Sequence, residues 1–208
     1  QMLRLVQTQI EKNPQCLKNQ SLQLTHLALL NPTTSDFDES GLMHDEKNEM
    51  LDMKEIFDEF NQKEVFFDAE EPFIDKNGNM HLSLKTQDFN GSVKLDTFFF
   101  NTSVQGHTKN DGVQFELNKE AIQSLEKRFS KLDKSMQNQL EKEFASIKDQ
   151  LNKGVSNYQL AEEISVMMLK MGQAFSMGCF SAKDRTGYVG FRTCVRFLNE
   201  TIDKNENL

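Results

Sequence analysis

One segment of the chain joins a short apolar stretch to an amphipathic helix, and it constrains the fold more than any other. Ala174–Gly178 is typical of a short buried strand. After a loop, apolar residues recur at spacings of three and four, which predicts a helix whose core-facing stripe is Tyr188, Phe191, Val195, Leu198 and Ile202. Gly178 and Gly187 bracket the loop, where the backbone must pass close to a ligand or adopt unusual dihedral angles. A strand, a loop and a helix in this order indicate an α/β domain.

The loop between strand and helix has the chemistry of an anion-binding site. Five residues separate Cys179 from Arg185, and a loop of this length can curl so that successive backbone N–H groups point inward. The positive end of the helix dipole adds to that field, which favours a thiolate, the nucleophilic form, at Cys179. Arg185 supplies a planar fork that can hold two phosphate oxygens, which lysine cannot do. Thr186 can donate its hydroxyl to the cysteine sulfur.

A cysteine and an arginine at this spacing are weak evidence by themselves, because chance produces the pair often and a lone cysteine is usually a small buried side chain. The neighbouring residues strengthen the interpretation. Lys183 and Asp184 precede Arg185, Thr186 follows it, and an apolar stretch stands before Cys179. The combination predicts metal-independent hydrolysis of a phosphate monoester, in which the cysteine attacks phosphorus and the loop amides and the arginine stabilise the equatorial oxygens.

The motif Cys-x-Ser-Ala-Lys-Asp-Arg-Thr at residues 179–186 resembles the active-site loop of the inositol polyphosphate 4-phosphatases and of the SopB- and SidF-type bacterial effector phosphoinositide phosphatases. Looser similarities to these families follow in the same order along the chain, at residues 27–32, Asp45-Glu46, Met50-Leu51 and residues 98–104. Together they span roughly residues 22–202, which is most of the sequence.

The resemblance implies an α/β domain of the cysteine-phosphatase type. A central mixed sheet is flanked by helices, and the catalytic loop joins the central strand to the following helix. The whole chain, 1–208, is expected to be a single catalytic domain with a helical section over 107–171. The resemblance also implies no cofactor and no metal ion. The substrate is a phosphoinositide headgroup at a membrane surface, with peripheral membrane contact, and the setting is a secreted bacterial effector acting at membranes in the host cytoplasm.

The resemblance assigns roles to individual residues of the motif. It makes Cys179 the nucleophile, Arg185 the group that stabilises the transition state, and Asp184 the acid that protonates the leaving hydroxyl. The phosphate-contacting residues are then Phe180, Ser181, Ala182, Lys183, Thr186 and Gly187. An alternative for Asp184 is a structural role, in which its carboxylate binds loop amides.

Phe180 departs from the family pattern, which usually places a lysine directly after the cysteine. An apolar ring there removes one positive charge from the pocket wall, which favours a headgroup with few phosphates. In the alternative, Phe180 turns away and packs against the domain, and selectivity depends on Lys183.

Three other functions stay open on the sequence. The enzyme could act on phosphotyrosine or on a soluble inositol phosphate. From a different class, the loop could hold a phosphoinositide phosphate without ever hydrolysing it. Release of inorganic phosphate distinguishes the enzymes from the binding module.

Composition excludes several other classes of protein. The net charge of −8 argues against general nucleic-acid binding, which depends on neutralising phosphates. Three scattered cysteines make a disulfide framework improbable and indicate a reducing compartment; of these, Cys194 is expected to be an inert thiol in the core. No apolar stretch is long enough to span a bilayer, and no cleavable signal peptide opens the chain.

Metal sites are equally disfavoured by the residue spacing. The four histidines, His26, His44, His81 and His107, have no metal-ligand spacing and are explained as scattered surface residues. Residues 75–79 begin like a calcium loop, but they lack its glycine and its bidentate glutamate and are expected to form a hairpin turn.

The remaining pattern predicts a β-rich half followed by helices. We expect a strand over residues 24–30, an acidic loop over 31–41, a helix over 42–60 and several strands within 64–106. From Asn118, a plausible N-cap, a helical pattern runs for more than thirty residues as one long helix or a hairpin. Gly154 ends it, and Ser156 with Gln159 resembles a capping box that opens the next helix.

Overall fold

The structure, a computed structural model, describes residues 2–12, 14–30, 35–37, 43–83, 89, 91–102, 112–179 and 184–205. Within them the chain forms seven helices and eight strands, so the predicted α/β class is confirmed. In chain order the elements are α1 Met2–Lys12, α2 Gln15–Asn19, β1 Ser21–Ala28, β2 Ser35–Phe37, β3 Met43–Asp45, α3 Glu46–Phe60, β4 Glu64–Phe66, β5 Phe73–Ile74, β6 Met80–His81, β7 Ser92–Asn101, α4 Gly112–Ser130, α5 Lys134–Asn152, α6 Tyr158–Lys170, β8 Ala174–Gly178 and α7 Asp184–Asn205.

Six strands form a mixed sheet in the order β5-β6-β4-β7-β1-β8. β4 pairs parallel to β6 and antiparallel to β7, with Val65 opposite Met80 on one side and Val93 on the other. β2 and β3 form a separate antiparallel pair. β1 and β7 are buried along most of their length, as expected for apolar runs at the centre of a sheet.

The motif strand β8 has the predicted bounds, but its predicted place at the centre of the sheet is wrong. Among the described strands it stands at the end of the strand order, beside β1. A short strand that contains Ser176 and Gly178 has few apolar side chains to bury on two faces, and Phe175 and Met177 are only half-buried. Its flanks are covered by α6 and α7, which both contact it.

The chain divides into two compact units. The first, Gln1–Leu24 with Glu55–Phe98, contains α1, α2, β4 and the β5–β6 hairpin. The hairpin turn over residues 75–79 was predicted correctly. Asp75 accepts hydrogen bonds from the backbone N–H groups of Asn77 and Asn79 at 2.8 and 2.9 Å, and Gly78 takes the positive φ of 81° that the turn requires.

The second unit, Thr25–Lys54 with Phe99–Leu208, contains the helices α4 to α7 and the whole motif. The long helical pattern is a hairpin of α4 and α5, which pack together. It breaks before Asp133, whose side chain accepts from the N–H of Met136 at 2.8 Å and caps α5. The prediction of one catalytic domain over 1–208 stays a prediction.

Two predicted helix caps are wrong. Asn118 lies inside α4 rather than at its start, and its buried amide bonds the backbone N–H and C=O of Asn101 at the end of β7. Helix α6 is capped by Asn157, which accepts from the N–H of Leu160 at 2.8 Å, and not by Ser156. The helix predicted over 42–60 begins at Glu46, because residues 43–45 pair with β2 instead.

The predicted buried face of α7 is also wrong. Tyr188, Phe191, Val195 and Leu198 are exposed, while the buried side of the helix is formed by Val189 and Thr193. Cys194 is exposed and is not a core thiol. The physical reason is the packing of α7 against α6, which uses ion pairs as well as apolar contacts. Ile202 lies outside the residues whose side chains are described.

Candidate active site

The structure places the two ends of the motif on adjoining elements. Cys179 follows directly after β8 and is 5% exposed, and Arg185 is the second residue of α7. The predicted strand before Cys179 and the predicted helix after the motif are therefore confirmed. The predicted contact residues Phe180, Ser181, Ala182 and Lys183 lie outside the described residues, as does the side chain of Asp184. Their roles stay predictions.

The last residue of β8 lies against a histidine from β1. The C=O of Gly178 accepts a hydrogen bond from the N–H of Leu29 at 2.8 Å. A Cβ on Gly178 would lie only 3.2 Å from His26 Cε1, so glycine lets the ring approach the backbone directly before Cys179. His26 Nδ1 is 2.8 Å from Ser176 Oγ, and its ring stacks on Phe99. These contacts support the end of the motif strand.

His26 is buried, so its interpretation as a surface histidine is wrong. Burial lowers the pKa of His26 to about 4, because the protonated imidazolium would lose its hydration there. The ring is therefore neutral near neutral pH. It can support the strand, but it does not contribute a positive charge to the site.

The lowered pKa makes His26 a source of pH-dependent stability. The unfolded chain binds a proton at His26 below pH 6.5, whereas the folded chain binds one only below about pH 4. The contribution is complete above pH 6.5 and is lost as the pH falls toward 4. In chemical denaturation, the unfolding free energy of the wild type should fall by up to about 3 kcal/mol more than that of His26→Gln over this range. Equal pH dependence of the two proteins would contradict this assignment.

Arg185 is held by a buried carboxylate on another helix. Its Nη1 and Nη2 donate to the two carboxylate oxygens of Glu46 at 2.8 and 2.9 Å, and Nη1 also donates to the C=O of Leu29 at 2.9 Å. Glu46 is 7% exposed and is the first residue of α3, where the helix dipole stabilises a negative charge. These hydrogen bonds are the main cause of the raised pKa of Arg185, and the charge of Cys179 adds to the effect.

The contacts to Arg185 do not use all the N–H donors of its guanidinium. A guanidinium has five N–H donors, and three of them bind Glu46 and Leu29. The other two, on Nε and on the second position of Nη2, lie side by side on one edge and find no acceptor among the described residues. A pair of parallel donors is the geometry that holds two oxygens of one phosphate. Glu46 thus fixes the arginine through donors other than these two.

Segments distant in sequence meet around this arginine. Asn101, at the end of β7, binds the backbone N–H and C=O of Leu30 at 3.0 Å each and donates to Gln114 Oε1 at 2.7 Å. The backbone after β1 is thereby fixed on one side by Asn101 and on the other by Arg185. Residues from three segments that are far apart in the sequence, Leu29, Glu46 and Asn101, therefore lie near one another.

Two side chains near the site carry buried oxygen atoms. Thr186 Oγ1 is buried and has no hydrogen-bond partner among the described residues, so the structure does not show its predicted donation to Cys179. Glu49, one turn along α3 from Glu46, has a buried Oε2 that likewise has no hydrogen-bond partner within the described part of the chain. Burial raises the pKa of Glu49, and the neighbouring Glu46 carboxylate raises it further.

The ion pair of Glu46 with Arg185 was not predicted. The sequence singled out Asp45-Glu46 by its order and spacing, but it gave Glu46 no role. Within the described ranges no group of histidine, cysteine and acidic residues could hold a metal ion. No helix of that part of the chain is both long and apolar enough to cross a membrane.

No protein-family model matches the chain, and no curated protein does.

Proposed function

We propose that the chain is a cysteine-dependent phosphatase whose substrate is a phosphate monoester of a phosphoinositide. The observation that carries the proposal is the geometry of Arg185, which Glu46 holds by one edge while the two parallel donors of another edge have no acceptor in the part of the chain that the structure describes. Cys179 lies at the end of β8, and its charge acts on this same arginine. A nucleophile and an oxyanion-binding fork therefore flank one loop. The choice of an inositol lipid rests on the resemblance of residues 179–186.

The proposed reaction has two steps. The Cys179 thiolate attacks phosphorus, a phosphorus–sulfur bond forms, and the bond from phosphorus to the inositol oxygen breaks. The leaving oxygen takes a proton, for which Asp184 is the proposed donor. Water then attacks phosphorus and gives a proton to the Asp184 carboxylate, and the phosphorus–sulfur bond breaks, which releases inorganic phosphate and returns the thiolate. Through both steps Arg185 and the loop amides stabilise the equatorial oxygens.

Phosphate release from a substrate panel tests this proposal. The panel contains short-chain phosphoinositides, soluble inositol phosphates and a phosphotyrosine peptide. We expect release from at least one phosphoinositide and a lower kcat/KM on the other two classes. Faster hydrolysis of a soluble inositol phosphate or of the peptide would favour those enzymes instead. Phosphoinositide binding without release from any member would identify a binding module and contradict the proposal.

Removing the charge of Glu46 should weaken catalysis without removing any group that contacts the substrate. In Glu46→Gln one of the two charge-assisted hydrogen bonds to Arg185 becomes a clash between N–H groups, so the guanidinium loses its fixed orientation. We expect kcat/KM to fall by about tenfold or more, the equivalent of one charge-assisted hydrogen bond. The matched control is Glu55→Gln, which changes an exposed glutamate of the same helix. If both variants keep the wild-type kcat/KM while folded by circular dichroism, Glu46 does not orient the arginine.

A further inference from the structure

Four exposed apolar side chains form one face of α7. Tyr188, Phe191, Val195 and Leu198 are 47%, 69%, 41% and 54% exposed. Their spacings of three, four and three residues place them along one side of a helix, within an arc of roughly 80° at about 100° per residue. We call these four residues the α7 apolar face. A contiguous exposed apolar patch of this kind marks a surface that binds something.

The α7 apolar face begins beside the candidate active site. Tyr188 is three residues after Arg185 in the same helix, a rise of about 5 Å. Its ring contacts that of Tyr158 edge-on at 4.9 Å between centroids. Any partner that covers the face therefore also lies close to the N-terminal end of α7, where Arg185 lies.

The charges that border the face are compensated within the protein. Arg192 Nε is 2.5 Å from Glu162 Oε2, and its Nη1 donates to Tyr188 Oη at 3.0 Å. Arg196 is 3.6 Å from Glu162 and donates to Glu200 at 2.7 Å. These two cations and two carboxylates sum to zero, whereas the whole chain has a net charge of −8. Glu200 also pairs with Lys170, which pairs in turn with Glu143. The charges of the described residues on this side of the face thus cancel, on a protein that is acidic as a whole.

A neutral apolar face selects among the possible partners. A strongly charged partner protein would find no net opposite charge beside this face. An anionic membrane surface would repel this protein, because its net charge is −8. A zwitterionic lipid interface matches the face, because the apolar side chains can enter the acyl boundary while the tyrosine hydroxyl stays at the polar headgroups. Arg192 and Arg196, which border the face, would then lie at the depth of the headgroups.

We propose that the α7 apolar face docks the protein on a lipid bilayer, by insertion of apolar side chains and not by attraction to anionic lipid. This docking brings the N-terminal end of α7, which contains Arg185, close to a phosphate at the bilayer surface. The identity of that phosphate as a phosphoinositide monoester rests on the function proposed above. The docking itself does not.

The test measures binding to phosphatidylcholine vesicles by flotation, with and without a small fraction of phosphoinositide, at low and high salt. The wild type should bind the plain zwitterionic vesicles, and its affinity should change by less than about twofold with salt because no net charge is neutralised. The double variant Phe191→Ser, Leu198→Ser should bind at least about tenfold more weakly, since two inserted side chains are lost. The matched control, Leu51→Ser with Ile56→Ser, removes exposed apolar side chains from α3 and should bind like the wild type.

The outcomes separate this inference from the proposed function. The α7 double variant should keep wild-type activity on a soluble short-chain phosphoinositide and lose activity on the same headgroup in vesicles. Hydrolysis of the soluble substrate by a wild type that does not bind vesicles would overturn the docking and leave the phosphatase. Vesicle binding through the face without any hydrolysis would support the docking and overturn the phosphatase. Binding that needs anionic lipid, or a dimer that the double variant dissociates, would overturn the docking.

Discussion

Cys179→Ser is expected to lower phosphate release by about a thousandfold or more, because loss of a covalent nucleophile typically costs several orders of magnitude. A serine hydroxyl in the same place is not ionised near neutral pH, so it is a much weaker nucleophile than a thiolate. The variant should still bind phosphoinositide, since Arg185 and its support by Glu46 are unchanged. The rate is measured as inorganic phosphate release at saturating substrate, and binding is measured by calorimetry.

The matched control is Cys194→Ser, the same change at an exposed cysteine of α7. It should keep the wild-type rate. If Cys179→Ser retains more than about a tenth of the wild-type activity, the loss is much smaller than the removal of a nucleophile causes. This result would show that another group attacks phosphorus.

Arg185→Lys should lower kcat/KM by about a hundredfold or more, which is the usual cost of removing one donor to an oxyanion. Lysine keeps the positive charge, but its single ammonium cannot bind the Glu46 carboxylate, the Leu29 carbonyl and two phosphate oxygens at the same time. The main effect should be on kcat, because the contacts to the equatorial oxygens strengthen in the transition state.

Arg192→Lys is the control for this change, since it alters an arginine of the same helix that pairs with Glu162. On a soluble substrate it should behave like the wild type. Thermal unfolding of Arg185→Lys identifies any loss of folded protein. A folded Arg185→Lys enzyme with unchanged kcat/KM would show that the guanidinium of Arg185 does not bind the phosphate oxygens.

Local signals predicted the elements of the site well. Ala174–Gly178 was recognised as a strand from its apolar residues and flanking glycine, and the structure has the same bounds. The turn at Asp75 was recognised because aspartate, asparagine and glycine each stabilise a turn through short-range backbone contacts. In both cases the determining interactions lie within a few residues, so a sequence pattern contains them.

Interactions between distant residues could not be read from the pattern. Glu46 and Arg185 are 139 residues apart, and no local periodicity relates them. Asn118 has the side chain of a good helix cap, but its amide is used by Asn101 across the unit. Tertiary contacts decided both positions.

The face of α7 illustrates a different limit. An apolar stripe shows that a helix has two unlike sides, and the usual inference buries the apolar one. Here Glu162 on α6 is buried and draws the arginine side of α7 toward the protein, so the apolar side is exposed. The sequence shows that Arg192 and Arg196 border the apolar stripe. It does not show that both of them pair with Glu162 in the preceding helix.

The most direct test of the account is to trap the phosphorylated enzyme. Wild-type protein is mixed with a radiolabelled short-chain phosphoinositide, quenched in acid within one turnover, digested and examined by mass spectrometry. The account predicts labelled phosphate on the peptide that contains Cys179, and no label in the Cys179→Ser protein. Rapid release of phosphate with no label on Cys179 at any quench time would contradict it.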